Sequence, residues 1–314
     1  MDSLIEKFID YIRIQRNYSN NTEINYLIDL DSFSSYLKSK KIKFNELNYK
    51  EISLYTKYLK EVKELEPSSI NRHLSAIRSF YNYLVTIGEV KSNPFKLVNG
   101  PKKAIKLPNY MKYSEFEEMI NACDDRDLGI RNRALLELLL ATGARIGELI
   151  NIKVHDINFN FREIKVLGKG NKERICYFNE HAEDSLKDYI NNSRVKLLKG
   201  KSSDYLFINH IGTPLTSRGV RTIIDNIIKK SSLNTKITPH TFRHTFATML
   251  LNEGCDLKSV QELLGHVNLS TTSIYTHVTN DRIKDIYLHT HPRSKKWVSI
   301  KSSFTKYITE STLL

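Results

Sequence analysis

The sequence predicts a mainly α protein with a small antiparallel β-sheet, divided into two domains. Apolar residues recur at helical spacing along most of the 314-residue chain, and several of these stretches open on residues that cap helices. One stretch, residues 162–178, changes instead to alternation with period two. Between residues 93 and 108 periodicity stops, in a run with three prolines, a glycine and a lysine cluster. A chain of this length is enough for a domain on either side of that run.

Residues 1–93 read as an all-helical domain. Ile5, Phe8, Ile9 and Ile12 form one stripe. Asn20 with Glu23 can cap a second helix through Tyr26, Leu30, Phe33 and Leu37, and Asn48 with Glu51 forms a capping box ahead of Ile52, Tyr55 and Leu59. Pro67 precedes a fourth helix whose inward positions are Ile70, Leu74, Ile77, Tyr81 and Leu84. Arg72, Ser75, Ser79 and Tyr83 then face outward together. Such a set is ordinarily a solvated face, and in a basic protein it also suits phosphate and groove contacts. Residues 94–108, with Lys102, Lys103 and Lys106, read as a linker between domains whose basic residues suit a polyanion backbone.

The second domain, residues 109–293, opens with a helix near Ser114–Ala122, with Ser114 and Glu117 as its capping box. Ala134–Leu140 is nearly all apolar and belongs in the centre of the domain. Gly143 ends that helix, and Arg145 follows at once, with Glu148 three residues on. An arginine at the mouth of a buried helix is costly unless it meets an acid or an anion, so it pairs with Glu148 or with a substrate phosphate. Residues 162–178 form a hairpin, with Ile164 and Val166, then Ile175 and Tyr177, around Gly168-Lys169-Gly170-Asn171. Lys169 sits at its tip. The upstream glycine and following Ser/Thr of a nucleotide loop are missing, so ATP binding is not expected.

Thr238-Pro239 starts a helix running from His240 to about Glu253, with Phe242, Phe246, Met249 and Leu250 inward and Gly254 as its stop. His240, Arg243 and His244 fall on the other flank. His240 and Arg243 share the first turn, where free N–H groups and the helix dipole favour an anion. No Glu follows His240 as a zinc-hydrolase helix requires, and Arg243 repels cations, so no metal is expected. Asp256 caps the next helix, with Val260, Leu263 and Leu264 inward and Gly265 as its stop; His266 falls on the turn. Ser270 and the threonines after it can cap a short third helix carrying Ile274, Tyr275 and Val278.

A formal net charge of +13 points to a polyanionic partner, nucleic acid first and a membrane surface second. No apolar run is long enough to span a bilayer, and Asp2 and Glu6 stand where a signal peptide is basic. Cys123, Cys176 and Cys255 lack metal spacing and read as reduced thiols in a cytoplasm.

Arg145 after Ala-Thr-Gly-Ala, Lys169 in a hairpin, His240-Thr-Phe-Arg243-His244, Leu264-Gly265-His266 and Tyr275 occur in that order. This ordered set resembles the tyrosine recombinases of the lambda-integrase family, of the Xer type in particular, and the resemblance covers both domains to about Arg293. It implies a helical core-binding (SAM-like) domain and a mostly helical catalytic domain, together a two-domain clamp on double-stranded DNA. By this resemblance Arg145 and Arg243 hold the scissile phosphate, Lys169 protonates the leaving 5′-hydroxyl, His240 and His266 support the phosphate and handle protons, and Tyr275 is the nucleophile. Glu148 matches the acid that orients the first arginine, and no cofactor is implied.

The implied activity is site-specific cleavage and rejoining of DNA through a 3′-phosphotyrosyl intermediate, with Holliday-junction exchange in a tetramer. Chromosome dimer resolution and mobile-element integration or excision both fit, with a second recombinase or an accessory protein as further partners. A type IB topoisomerase-like relaxer shares the phosphate chemistry, and a non-catalytic DNA-binding module shares the basic surface. Ile283, Ile286 and Tyr287 can form a small apolar stripe, and by resemblance the segment after the nucleophile packs on a neighbouring protomer. Xer-type chains finish near His291-Pro292-Arg293, which leaves residues 294–314 as a tail for which the residues suggest no role.

Overall fold

The computed structural model describes residues 1–14, 18, 20–102, 110–168, 172–265 and 277–294, the side chains of 20, 21 and 277–281 excepted. Lys103, Lys169, His266 and Tyr275 lie outside the described residues, as does the expected short helix up to residue 276. The chain folds as two units, Met1–Lys106 and Leu107–Leu314.

Among its described residues the first unit holds four helices, α1 (Asp2–Ile14), α2 (Asn20–Lys40), α3 (Tyr49–Glu61) and α4 (Pro67–Thr86). The Asn48/Glu51 capping box forms, with Glu51 N–H donating to Asn48 Oδ1 at 3.1 Å and Asn48 N–H to Glu51 Oε2 at 2.8 Å. Asn20 is itself the first residue of α2, not the residue ahead of it. The inward stripes pack into one core around Phe8, Phe33, Tyr55, Phe80 and Tyr81.

Two expectations for this unit are corrected. The outward set on α4 is not uniformly outward: Ser75 is exposed, but Arg72 is drawn 2.7 Å from the fully buried Asp29. Tyr83 lies against Tyr11 and Phe8, with ring centroids 5.0 and 5.6 Å away. The buried carboxylate and the neighbouring aromatic rings draw these two side chains off the outer face. The first part of the supposed linker is also no free connector. Phe95 is completely buried, Arg78 donates to the carbonyls of Phe95 and Val98, and Asn71 donates to that of Pro101.

The second unit runs α5 (Tyr113–Asn121), α6 (Asp127–Thr142), the single turn α7 (Ile146–Leu149), then a three-stranded antiparallel sheet, β1 (Ile157–Asn158), β2 (Glu163–Leu167) and β3 (Glu173–Tyr177), in that order. It continues with α8 (Glu180–Asp188), a π-helical turn, α9 (Arg194–Leu198), α10 (Ser217–Lys230), α11 (Pro239–Asn252), α12 (Leu257–Leu264) and α13 (His277–Thr290). The apolar run of α6 is the centre of its core. The cap of α5 falls two residues earlier than expected: Lys112 is the cap, and its N–H donates to Glu115 at 2.7 Å, so Ser114 and Glu117 form no capping box. Among the described residues no helix is long and apolar enough to cross a membrane.

The hairpin forms, but its second strand is one residue out of the expected phase. Ile164 pairs with Cys176 and Val166 with Arg174, so Cys176 and Arg174, not Ile175 and Tyr177, share the face of Ile164 and Val166. A shift of one residue moves a side chain to the opposite face of a strand. Tyr177 is buried nonetheless, because α13 covers the other face and brings Tyr287 to 6.0 Å. The stripe on α13 is likewise spent within its own chain: Ile283 and Tyr287 join Phe246, Leu250, Val260 and Leu263 in one cluster, with Ile286 half-buried beside it. Beyond α13, His291 is fully buried and Arg293 reaches the buried Glu137 of α6 at 2.8 Å.

Candidate active site

The site is built where α6, α7, β3, α11 and α12 end or pass. Gly143 ends α6 with φ +57°, and a Cβ there would lie 2.7 Å from the Phe246 ring, so the end of α6 seats directly on α11. Only glycine combines that backbone with that approach. Arg145 follows as the cap residue of α7.

Glu148 curls back to meet it. Its carboxylate accepts from the Arg145 backbone N–H and from Arg145 Nη1, both at 2.8 Å, and from Arg174 Nη2 at 2.8 Å. Burial works to raise the Glu148 carboxyl, but the Arg174 charge and the bonds from Arg145 outweigh it and hold it below the ordinary carboxylate range. The Arg145 guanidinium remains half-exposed, open to a further anion.

The Thr238-Pro239 start of α11 forms as expected, with Thr241 N–H donating to Thr238 Oγ1 at 3.3 Å. His240 and His244 are exposed, while Arg243 is half-buried. Its guanidinium donates to the carbonyls of Gly143 at 2.8 Å and Leu264 at 2.7 Å, tying the end of α6 to the end of α12. Burial, then the like charges of Arg145 and Arg174, push Arg243 down to about 10 despite Glu148 nearby. It stays protonated at neutral pH.

Of the residues singled out in the sequence, the structure brings together Arg145, Glu148 and Arg243, with His240 one turn before Arg243 on α11. For Lys169, His266 and Tyr275 it describes the flanks. Gly168 borders Glu148, since a Cβ there would sit 3.7 Å from Oε1. Gly265 closes α12 with φ +65°, directly before His266, and α13 begins two residues after Tyr275. Lys102 is exposed in the other unit. Sequence reasoning missed Arg174, which joins the site only through strand register. Among the described residues no group of three or more His, Cys, Asp or Glu is arranged to hold a metal ion.

A cluster of guanidiniums at helix ends in a basic, mostly helical protein suits an anion such as a phosphate, and the comparisons with known proteins give the chain a family. Residues 109–282 match the phage integrase family, and residues 5–88 match the phage integrase N-terminal SAM-like domain. The tyrosine recombinase XerC of Anoxybacillus flavithermus is 43% identical over 291 residues, covering 91% of this chain and 97% of the relative. The tyrosine recombinase XerC of Staphylococcus saprophyticus is 40% identical over 297 residues, covering 94% and 99%. The crystal structure of XerH site-specific recombinase bound to palindromic difH substrate, a post-cleavage complex, shares the fold with a TM-score of 0.66 at 23% identity, covering 98% of this chain and 85% of that one. The chain belongs to the phage integrase family and is a tyrosine recombinase, an enzyme of site-specific recombination. The topoisomerase-like and non-catalytic readings are not favoured.

Proposed function

We propose that Tyr275 attacks the scissile phosphate of double-stranded DNA held by Arg145 and Arg243. The observation that carries this reading is the convergence of guanidiniums at the helix ends, Arg145 and Arg174 on the buried carboxylate of Glu148 and Arg243 on the carbonyls of Gly143 and Leu264 beside them. Attack on a phosphodiester concentrates negative charge on the non-bridging oxygens, and guanidiniums fixed in place beforehand stabilise it without a metal. Arg145 is oriented for this by Glu148, and Arg243 by the carbonyls it spans.

The Tyr275 oxygen forms a bond to phosphorus as the 5′-oxygen leaves with a proton from Lys169. A tyrosine hydroxyl, with an ordinary pKa of about 10, needs help to ionise at neutral pH. The cationic field supplies part of it, and His240 and His266 support the phosphate and carry protons. The 3′-phosphotyrosyl bond keeps the energy of the broken linkage, so a 5′-hydroxyl from another strand can reverse the step without a nucleotide.

In this reading the helical unit, with Ser75, Ser79, Lys102 and Lys103 near the backbone, is the core-binding domain, and the second unit is catalytic to Arg293. Four copies assemble on two duplexes in the cytoplasm, for chromosome dimer resolution or for integration and excision of an element, with a second recombinase or accessory protein where the site demands one. Relatives named XerC support the reading.

The test is trapping on a nicked DNA substrate carrying candidate sites, resolved on a denaturing gel. Wild type is expected to give a covalent band and Tyr275→Phe none, with equal binding of the same DNA. A band that persists in Tyr275→Phe moves the nucleophile elsewhere; no band from wild type on DNA it binds contradicts the reading.

A further inference from the structure

Arg174 is nearly buried beneath the site, and both arms of its guanidinium are engaged. Nη2 donates to Glu148 at 2.8 Å, while Nη1 donates to the Leu263 carbonyl at 2.8 Å and lies 2.7 Å from Cys176 Sγ. The turn after Leu263 rests on its stem, since a Cβ at Gly265 would fall 2.6 Å from Arg174 Cδ. One side chain thus ties together the hairpin that carries Lys169, the α7 turn that carries Arg145, and the exit of α12 toward His266 and Tyr275.

The exit is a place where such a tie matters. The last carbonyls of a helix lack intrahelical partners and attract cations. Here two consecutive ones, Leu263 and Leu264, are taken by Arg174 and Arg243. The planar fork of arginine can hold a carboxylate with one arm and a carbonyl with the other, which a lysine ammonium on a flexible stem cannot do as rigidly.

We propose that Arg174 is a positioning residue for strand cleavage, setting Arg145 through Glu148 and the exit of α12 through Leu263 without touching the scissile phosphate. The inference rests on the recombinase reading above. It adds a link between the phosphate-binding half of the site and the segment that leads to the nucleophile.

Removing Arg174 has a particular consequence for Glu148. The groups facing that carboxyl are Arg145 from its own turn, Arg174 and Cys176 from β3, and Arg243 from α11. Burial raises Glu148 and Arg174 is the largest influence lowering it, so in Arg174→Met its pKa rises toward the range of buried carboxyls. Protonation then releases Arg145.

Single-turnover cleavage of the nicked substrate, with saturating enzyme and across a range of pH, tests this beside DNA affinity and thermal melting. Arg174→Met is expected to bind DNA as wild type does and to cleave roughly 100-fold more slowly, the cost of a small misplacement of reacting groups. Its deficit should be greatest at acidic pH and shrink as pH rises, which a fault in folding alone does not produce. Arg174→Lys, which keeps the charge, should lose about 10-fold with a pH profile parallel to that of wild type. Wild-type cleavage rates in both variants, or a deficit in Arg174→Met that is independent of pH and matched by lost DNA binding, would overturn the proposal. A wild type that forms no adduct would remove the recombinase reading and this inference with it.

Discussion

Two glutamates in the catalytic unit are buried beside arginines, and they come out oppositely. Glu148 receives three hydrogen bonds from two residues and is held below the ordinary carboxylate range. Among the described residues Glu137 receives one, from Arg293 at 2.8 Å, and its other oxygen is buried with no partner; burial raises it to about 7. Burial is similar, with side chains 4% and 5% exposed. What differs is the number of donors, because a carboxylate keeps its charge in a low-dielectric setting only when hydrogen bonds replace the water it lost. Glu148 organises a surplus of positive charge that can accept a phosphate, whereas Glu137 and Arg293 form a one-to-one pair that fastens the chain after α13 to the core helix α6.

The widest break between the two regions comes from the arginines. Arg145→Ala or Arg243→Ala should slow cleavage by roughly 1000-fold or more with much of the DNA affinity retained, because a chain of net charge +13 keeps many other cations for the DNA backbone. Single-turnover trapping beside a binding titration measures both. Loss of all binding instead would contradict the roles assigned.

A smaller loss, on the order of 100-fold, is expected for Glu148→Gln, in which Arg145 keeps hydrogen-bond partners but loses the opposing charge. Glu137→Gln should leave the cleavage rate unchanged in the same assay. Equal losses at the two positions would erase the distinction between an organising carboxylate and a fastening one.

The smallest effect is on stability alone. With its folded pKa raised above the unfolded value of 4.5 to about 7, Glu137 favours folding at low pH. That contribution is fully present below about pH 4.5 and is lost as pH rises through about 7. His291, pushed down to about 3 chiefly by burial, works in the other direction and loses its contribution as pH falls below 6.5. Glu137→Gln should therefore flatten one limb of the stability profile and leave the other. Arg293→Met should cost about 3 kcal/mol near pH 8, and less at acidic pH where Glu137 is neutral. Denaturant melts across pH distinguish these, and an Arg293→Met penalty that grows on acidification would reverse the sign argued here.

The same contrast explains what could be read from the sequence. Caps and stops at Asn48, Thr238, Asp256, Gly143 and Gly265 depend on residues three or four positions away, so the helices that frame the site were legible. The pairing of Arg145 with Glu148 was legible for the same reason, being local to one turn. Arg174 was not, since its face follows from hairpin register, and neither its spacing nor its neighbours in sequence show that Glu148 and Leu263 converge on it. Nor was the fastening of Arg293 to Glu137, separated by 156 residues. Phe95 escaped notice because a single apolar residue among prolines carries no periodicity, and its burial depends on carbonyls held by Arg78 and on neighbours across the helical core.

The most direct measurement is single-turnover cleavage of two matched substrates, one with the natural scissile phosphate and one with a methylphosphonate that lacks a charged non-bridging oxygen. If Arg145 and Arg243 act by balancing phosphate charge, the losses in Arg145→Ala and Arg243→Ala should shrink markedly on the neutral substrate, while Tyr275→Phe stays inactive on both. Undiminished losses on the methylphosphonate would contradict the claim that this guanidinium cluster is the phosphate site.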